Sequence, residues 1–341
     1  MTQTSNPNRP TAKLATFAFA ALAPFAALAN DGVPTLVDTN ADLGAQQPGP
    51  ELGWADSIYF TSRLDAGGHD IGLLVHTLTI PNGPGEKLVF SIVDETTGWY
   101  TYEVVNFRGD DFQWGEGGLD ISAPGMTWSG DDQEITVTLD YEWGGVDLVL
   151  RAEGPAMIYG GTGAWPLFGH INHEFGFPNM VTTGTVTING ETHDVSGHSW
   201  LDRQWGPVTP DESKRWTWMN LNLPNGDAVA IWDSVGPDGE NSWATVLHPD
   251  GSHEIVAAEP FADRAGEFWT SEVSGATFPT HWNIAIPALD ADITVDVTGT
   301  DDQEIVIHGE GRFEASAAFT GTYQGEEVSG KNYIEMFGAW K

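Results

Sequence analysis

The densest group of reactive side chains runs Gly197-His198-Ser199-Trp200-Leu201-Asp202-Arg203-Gln204-Trp205-Gly206. An acid, a cation, an amide and two indoles fall within Trp200–Trp205, a set suited to proton transfer beside an aromatic wall. On a strand, Trp200, Asp202 and Gln204 share one side, and Leu201, Arg203 and Trp205 the other. With Arg203 as its neighbour, Asp202 is expected to stay ionised and to orient water or serve the structure. His198 is a further acid–base candidate. A second acid, Asp233, follows Ile231-Trp232, where an apolar setting would raise a carboxyl pKa and keep the proton available for donation. Serine hydrolysis does not fit, because Gly197, Ser199 and Leu201 do not complete a Gly-x-Ser-x-Gly elbow.

Of the 15 tryptophans, six lie between Trp200 and Trp243. Trp216 and Trp218 are two apart and face the same side of a strand, and with Trp232 they suit a pocket for a bulky apolar ligand. His170-x-x-His173-Glu174 has the residue types of a metal site. On a strand, however, the two histidines face opposite sides and no third ligand is evident. It reads as a loop leading into 175–180, and no metal is expected. Asp38-Thr39-Asn40-Ala41-Asp42 imitates the start of a calcium loop, but its glycine comes one position late and Gly49 stands where the closing Glu is needed.

These groups must be positioned by strands. From residue 54 onward, short alternating segments such as Ile71–Ile80, Lys87–Val93, Tyr100–Phe107, Trp216–Leu223 and Ala228–Val235 are separated by turn signals. Among the signals are Pro81-Asn82-Gly83, Asn189-Gly190 and Pro224-Asn225-Gly226. No helical period persists for ten residues beyond the N-terminal segment. The chain therefore reads as all-β. The pentapeptide Asp-Asp-Gln-Glu-Ile occurs at 131–135 and again at 301–305, which suggests equivalent strand starts in two related units.

The signature resembles the Trp-x-Asp-(His/Arg)-(Gln/Glu/Asn)-Trp-Gly motif of a lipocalin-like family. That family includes carotenoid 1,2-hydratase (hydroxyneurosporene synthase), kievitone hydratase and AttH-type proteins. Ser329-Gly330-Lys331-Asn332-Tyr333-Ile334-Glu335-Met336-Phe337-Gly338 resembles its closing motif, and Trp216-x-Trp218, Asn225-Gly226 and Ile231-Trp232-Asp233 fit between the two. The resemblance spans roughly residues 54–341 and implies two tandem lipocalin-like antiparallel β-domains, barrels or sandwiches, with a hydrophobic tunnel near the signature. It implies that Asp233 protonates an alkene beside Trp205, while Asp202 and His198 stay candidates on the residues' own account. Trp200, Arg203, Trp205, Trp216, Trp218, Trp232, Tyr333 and Glu335 form the implied substrate-binding set. Arg203 stands where other members carry His, which resembles the kievitone hydratase side. The expected function is a cofactor-free hydratase, lyase or isomerase acting on a terpenoid, polyketide or phenolic molecule. The alternative is a carrier of such a ligand.

The composition narrows the partners. Thirteen basic residues against 49 acidic ones give a net charge of −36, which disfavours polyphosphate and anionic membrane surfaces. The absence of cysteine removes disulfides, thiolate metal sites and cysteine nucleophiles. Gly-rich phosphate loops are absent too, so no nucleotide is expected. Residues 1–29 carry Arg9 and Lys13 before an apolar run ending Ala27-Leu28-Ala29, the pattern of a signal peptide. This sets the expected division: 1–29 signal, 30–52 irregular lead-in, 53–208 and 209–341 as two domains, in a secreted or periplasmic protein with no membrane span.

Overall fold

The computed structural model describes residues 35–50, 52–80, 85–208, 213–338 and 340. The signal segment and the Pro81-Asn82-Gly83 turn lie outside them. Among the described residues, twenty-three strands form two antiparallel sheets. The first holds β1 (Trp54–Asp65), β2 (Asp70–Ile80), β3 (Gly85–Asp94), β4 (Trp99–Asn106), β5 (Gln113–Trp114), β6 (Leu119–Ala123), β7 (Met126–Gly130), β8 (Glu134–Tyr141), β9 (Gly144–Ala152), β10 (Met157–Ile158), β11 (Ala164–Leu167), β12 (His170–Ile188) and β13 (Glu191–Pro207). The second holds β14 (Arg215–Asn222), β15 (Ala228–Gly236), β16 (Gly239–Leu247), β17 (His253–Ala257), β18 (Gly266–Thr270), β19 (Thr277–Ile286), β20 (Ala291–Val297), β21 (Glu304–Ile307), β22 (Glu310–Tyr323) and β23 (Glu326–Phe337).

The two sheets share one plan. Strand order is β4-β3-β2-β1-β13-β12-β9-β8-β7-β6-β5 in the first and β17-β16-β15-β14-β23-β22-β20-β19-β18 in the second. In both, a four-stranded meander returns to lie beside the last strand. The repeated pentapeptide does not mark the equivalence: 131–135 leads into β8, within the main path, whereas 301–305 leads into β21, which pairs only with β22. The strand in the place of β8 is β19.

Burial patterns show which faces meet. In β8 buried and less buried residues alternate, as for a strand with one wet face. β1, β2, β14 and β15 are buried on both faces. One face of each packs inside its own sheet, around Phe60 and Trp128 in the first and Ile231 and Trp282 in the second. The other faces meet in a third core that joins Tyr59, Leu74 and Trp200 to Trp218, Trp232 and Tyr333. The lead-in is docked rather than loose. Leu43, on a short helix at Ala41–Gly44, is fully buried in the first core.

Candidate active site between the two sheets

The signature reaches its place through a tight hairpin. β12 and β13 are joined at Asn189-Gly190, both at positive φ (52° and 80°), the geometry a two-residue turn of this hand requires. Register then carries alternation across the sheet. Asp202 on β13 lies opposite Tyr59 on β1, which lies opposite His76 on β2. On the second sheet Glu314, Glu335, Trp218 and Trp232 are aligned in the same way across β22, β23, β14 and β15. The rows face one another. Tyr59 bridges them, its hydroxyl donating to Glu314 Oε2 at 3.1 Å and its ring set edge-on to Trp218 at 5.7 Å.

Between the rows is a cavity of about 450 Å³. Its aromatic wall is Trp216, Trp218, Trp232 and Phe337, and its polar groups include Asp202, Glu174, His76, Glu335, Arg312 and Lys87. Asp202 is 5% exposed. Burial pushes its carboxyl up to about 8, against donation from Trp200 and Tyr159. The Trp200 indole N–H (2.9 Å) and the Tyr159 hydroxyl (3.0 Å) both donate to Oδ1, so the proton of the neutral acid belongs on Oδ2. Gly176 lies opposite Asp202, and a Cβ there would come within 2.2 Å of Oδ1. The space for the carboxyl depends on that missing side chain.

Glu174 is also buried, and burial first, then the Asp202 and Glu335 charges, raise it well above the usual carboxylate range. Glu314 is raised well above that range by burial and by Glu335, with Arg312 opposing. Arg312 lies 3.4 Å from Glu314 and 3.3 Å from Glu335, and the Trp216 indole donates to Glu335 at 3.0 Å. Burial holds His76 well below the ordinary imidazole value, helped by Arg312 and Lys87. Its Nε2 is 2.8 Å from Ser57 Oγ, and its Nδ1 has no partner among the described residues. In the tautomer that donates Nε2–H to Ser57, Nδ1 offers a lone pair.

The expected site residues divide. Trp216, Trp218, Trp232, Glu335 and Asp202 line the cavity. Trp200 is buried behind Asp202, and Tyr333 is buried between the sheets with its hydroxyl 3.5 Å from Ser91 Oγ. His198 is exposed in a separate depression beside Arg63 and Lys331. Asp233 faces away: alternation on β15 sends Trp232 into the cavity and Asp233 into the second sheet, where Ser242 Oγ donates to it at 2.5 Å. Burial lifts Asp233 to about 7, but no cavity residue touches that carboxyl in its hydrogen bonding.

Arg203 and Trp205 also point inward. Arg203 is fully buried and ion-paired with Asp56. Its guanidinium lies 5.2 Å from the Trp205 ring, and Nη2 donates to Ala45 O at 2.9 Å, which ties down the lead-in. Asp202 is therefore not held ionised by Arg203. Neighbours on a strand face opposite ways, and the cation is spent on Asp56. The Phe175–Met180 approach is no loop either, since His170–Ile188 is one long strand that carries Glu174 into the cavity. The His-x-x-His-Glu cluster was the only sequence signal for Glu174. Nothing local marked His76, Tyr59, Tyr159, Glu314 or Arg312.

Comparison with known proteins agrees with this architecture. A profile of the AttH-like family matches residues 94–339. Dehydratase asqC of Emericella nidulans is 25% identical over 352 residues, 96% of each chain. Kievitone hydratase of Fusarium solani subsp. phaseoli is 25% identical over 201 residues, 56% of each. Among solved structures, kievitone hydratase from Nectria haematococca aligns with a TM-score of 0.72 at 21% identity, over 90% of this chain and 98% of that one. An AttH protein from Nitrosomonas europaea aligns at 0.73 and 19% identity, over 91% and 98%. The folds correspond, the profile covers most of the chain, and the protein belongs to the AttH-like family.

Proposed function

We propose that this protein is a hydratase or dehydratase that works by acid–base chemistry on a hydrophobic small molecule, with Asp202 as the proton donor. The observation that carries this is a carboxyl raised to about 8, held by two donors on one oxygen and lining a cavity walled by indoles. A carrier needs the apolar cavity but gains nothing from buried neutral acids, each of which costs stability. Relatives named as a dehydratase and a hydratase support the enzyme reading.

In the hydration direction, Oδ2–H of Asp202 protonates an alkene carbon and leaves a cation on the neighbouring carbon. The faces of Trp218 and Trp232 stabilise that charge. Water adds to it, and its proton passes to His76 Nδ1. Asp202 and His76 flank Tyr59 two strands apart, so their Cα atoms are separated by roughly 10 Å, room for the reacting carbons between them. Returning the proton from His76 to Asp202 closes the cycle. Dehydration runs the same steps backwards: protonated His76 gives its proton to the departing hydroxyl, and the Asp202 carboxylate removes a proton from the neighbouring carbon. The indole-walled cavity supports a terpenoid, polyketide or phenolic substrate, and the apolar run ending Ala27-Leu28-Ala29 supports export.

The test incubates purified protein in D₂O with prenylated phenols and hydroxylated polyketide-like amphiphiles, followed by mass spectrometry. Gain or loss of one water by any of them, absent with Asp202→Asn, is the expected result. Tight binding of these compounds with no conversion of any would establish the carrier instead.

A further inference from the structure

The catalytic reading concerns one end of the cavity, and the other end has its own chemistry. Lys87, Leu78, Ser57, Gln204 and Glu174 are register partners in sequence across β3, β2, β1, β13 and β12, and all line the cavity. Four strand spacings separate Lys87 from Glu174, roughly 19 Å between their Cα atoms. The site is therefore a slot with neutral acids at one end and a cation at the other.

Lys87 is 3% exposed, and among the described residues no carboxylate lies within ion-pair distance of it. Arg312, whose charge it feels most, has the same sign; burial and that repulsion lower the ammonium's pKa. A buried charge without a counter-ion is costly, and this chain has 49 acidic residues from which to draw one. The walls between the poles are apolar, with Leu78, Ile80, Trp216 and Phe337.

We propose that the ligand is an amphiphile whose anionic oxygen, a carboxylate or an ionised acidic phenol, docks on Lys87 and supplies the missing counter-charge. Its apolar body then lies along the indole wall. Lys87 lies three strands from Asp202 and two residues further along, roughly 16 Å between Cα atoms. After allowing for the lysine side chain, the oxygen sits roughly 10 Å from the reacting carbon, about the length of a medium alkyl chain or three fused rings. The placement of that carbon rests on the Asp202 reading, whereas the anion site does not.

The experiment titrates intrinsic tryptophan fluorescence with dodecanoate, methyl dodecanoate and para-octanoylphenol, using the wild-type protein and Lys87→Met. Dodecanoate is expected to bind wild type about tenfold more tightly than its ester, a modest value for a charge-assisted hydrogen bond. Lys87→Met should erase that gap without changing the affinity of the ester. An equal loss for para-octanoylphenol supports phenolic ligands, and no loss overturns that half of the proposal. Equal binding of acid and ester by wild type, or equal weakening of both by Lys87→Met, overturns the whole. Methionine keeps the side-chain length and removes a desolvated charge, so the fold should persist. Lys87→Gln serves as the second variant if the melting temperature of Lys87→Met falls. The titration reads binding alone, so its failure leaves the role of Asp202 standing. An inactive Asp202→Asn that still distinguishes acid from ester leaves the anion site standing.

Discussion

Replacing Asp202 by Asn changes one exchangeable proton and almost no volume. The amide oxygen can still accept from Trp200 and Tyr159, so the cavity should keep its shape. An ordinary aspartate is neutral in roughly one molecule in 1,600 at pH 7, whereas a carboxyl at about 8 is neutral in roughly nine in ten. Burial has thus increased the competent acid by about a thousandfold, and losing it should lower kcat by roughly 10²–10⁴ with KM little changed. In the wild type the neutral form falls from roughly nine-tenths at pH 7 to one-tenth at pH 9, so kcat should decline about tenfold over that interval.

Stability should move the other way. Because the folded-state pKa is raised, the contribution of this group is fully present below about 3.8 and is lost as pH rises through about 8. The amide imitates the neutral acid and escapes that loss. Asp202→Asn should therefore melt at a higher temperature than wild type above pH 8, by an amount worth on the order of 5 kcal/mol at most. Kinetics on the substrate found by the D₂O screen, with thermal melts at pH 5, 7 and 9, test both arms. A variant that keeps wild-type turnover, or that is less stable than wild type at pH 9, refutes the reasoning.

Asp233→Asn should leave turnover within about twofold of wild type, since its carboxyl bonds Ser242 inside the second sheet; a hundredfold loss would return the acid role to Asp233. Gly176→Ala should lower the melting temperature, because the added Cβ would come within 2.9 Å of the Leu201 carbonyl oxygen as well as 2.2 Å of Asp202 Oδ1, and should cut kcat at least tenfold by displacing Asp202. Steady-state kinetics with a circular dichroism control decide it. Arg203→Met should cost about 3–5 kcal/mol in denaturant melts, because Asp56 is left buried without its counter-charge. With a net charge of −36, the melting temperature should rise from low to molar salt as carboxylate repulsion is screened, and a flat response would contradict it.

Much of the fold was legible in local pattern. Period-two alternation and turn residues such as Asn189-Gly190 depend only on near neighbours, so the strands and the hairpin that presents the signature could be read directly. The same alternation separated Trp200, Asp202 and Gln204 from Leu201, Arg203 and Trp205, and the structure keeps that division. What sequence could not decide is which of two faces meets the other sheet. Asp202 and Asp233 both sit beside an indole and an apolar residue, and only the packing of β13 against β14 and β15 turns the first toward the cavity and the second away from it. Charge state followed the same rule. Arg203 is adjacent to Asp202 in the chain but ion-paired with Asp56, 147 residues distant, because adjacency on a strand means opposite faces. Glu174, His76 and Glu314 come from strands far apart in the chain, and their raised or lowered pKa values arise from burial between the sheets. A single strand offers no burial until its partner closes over it.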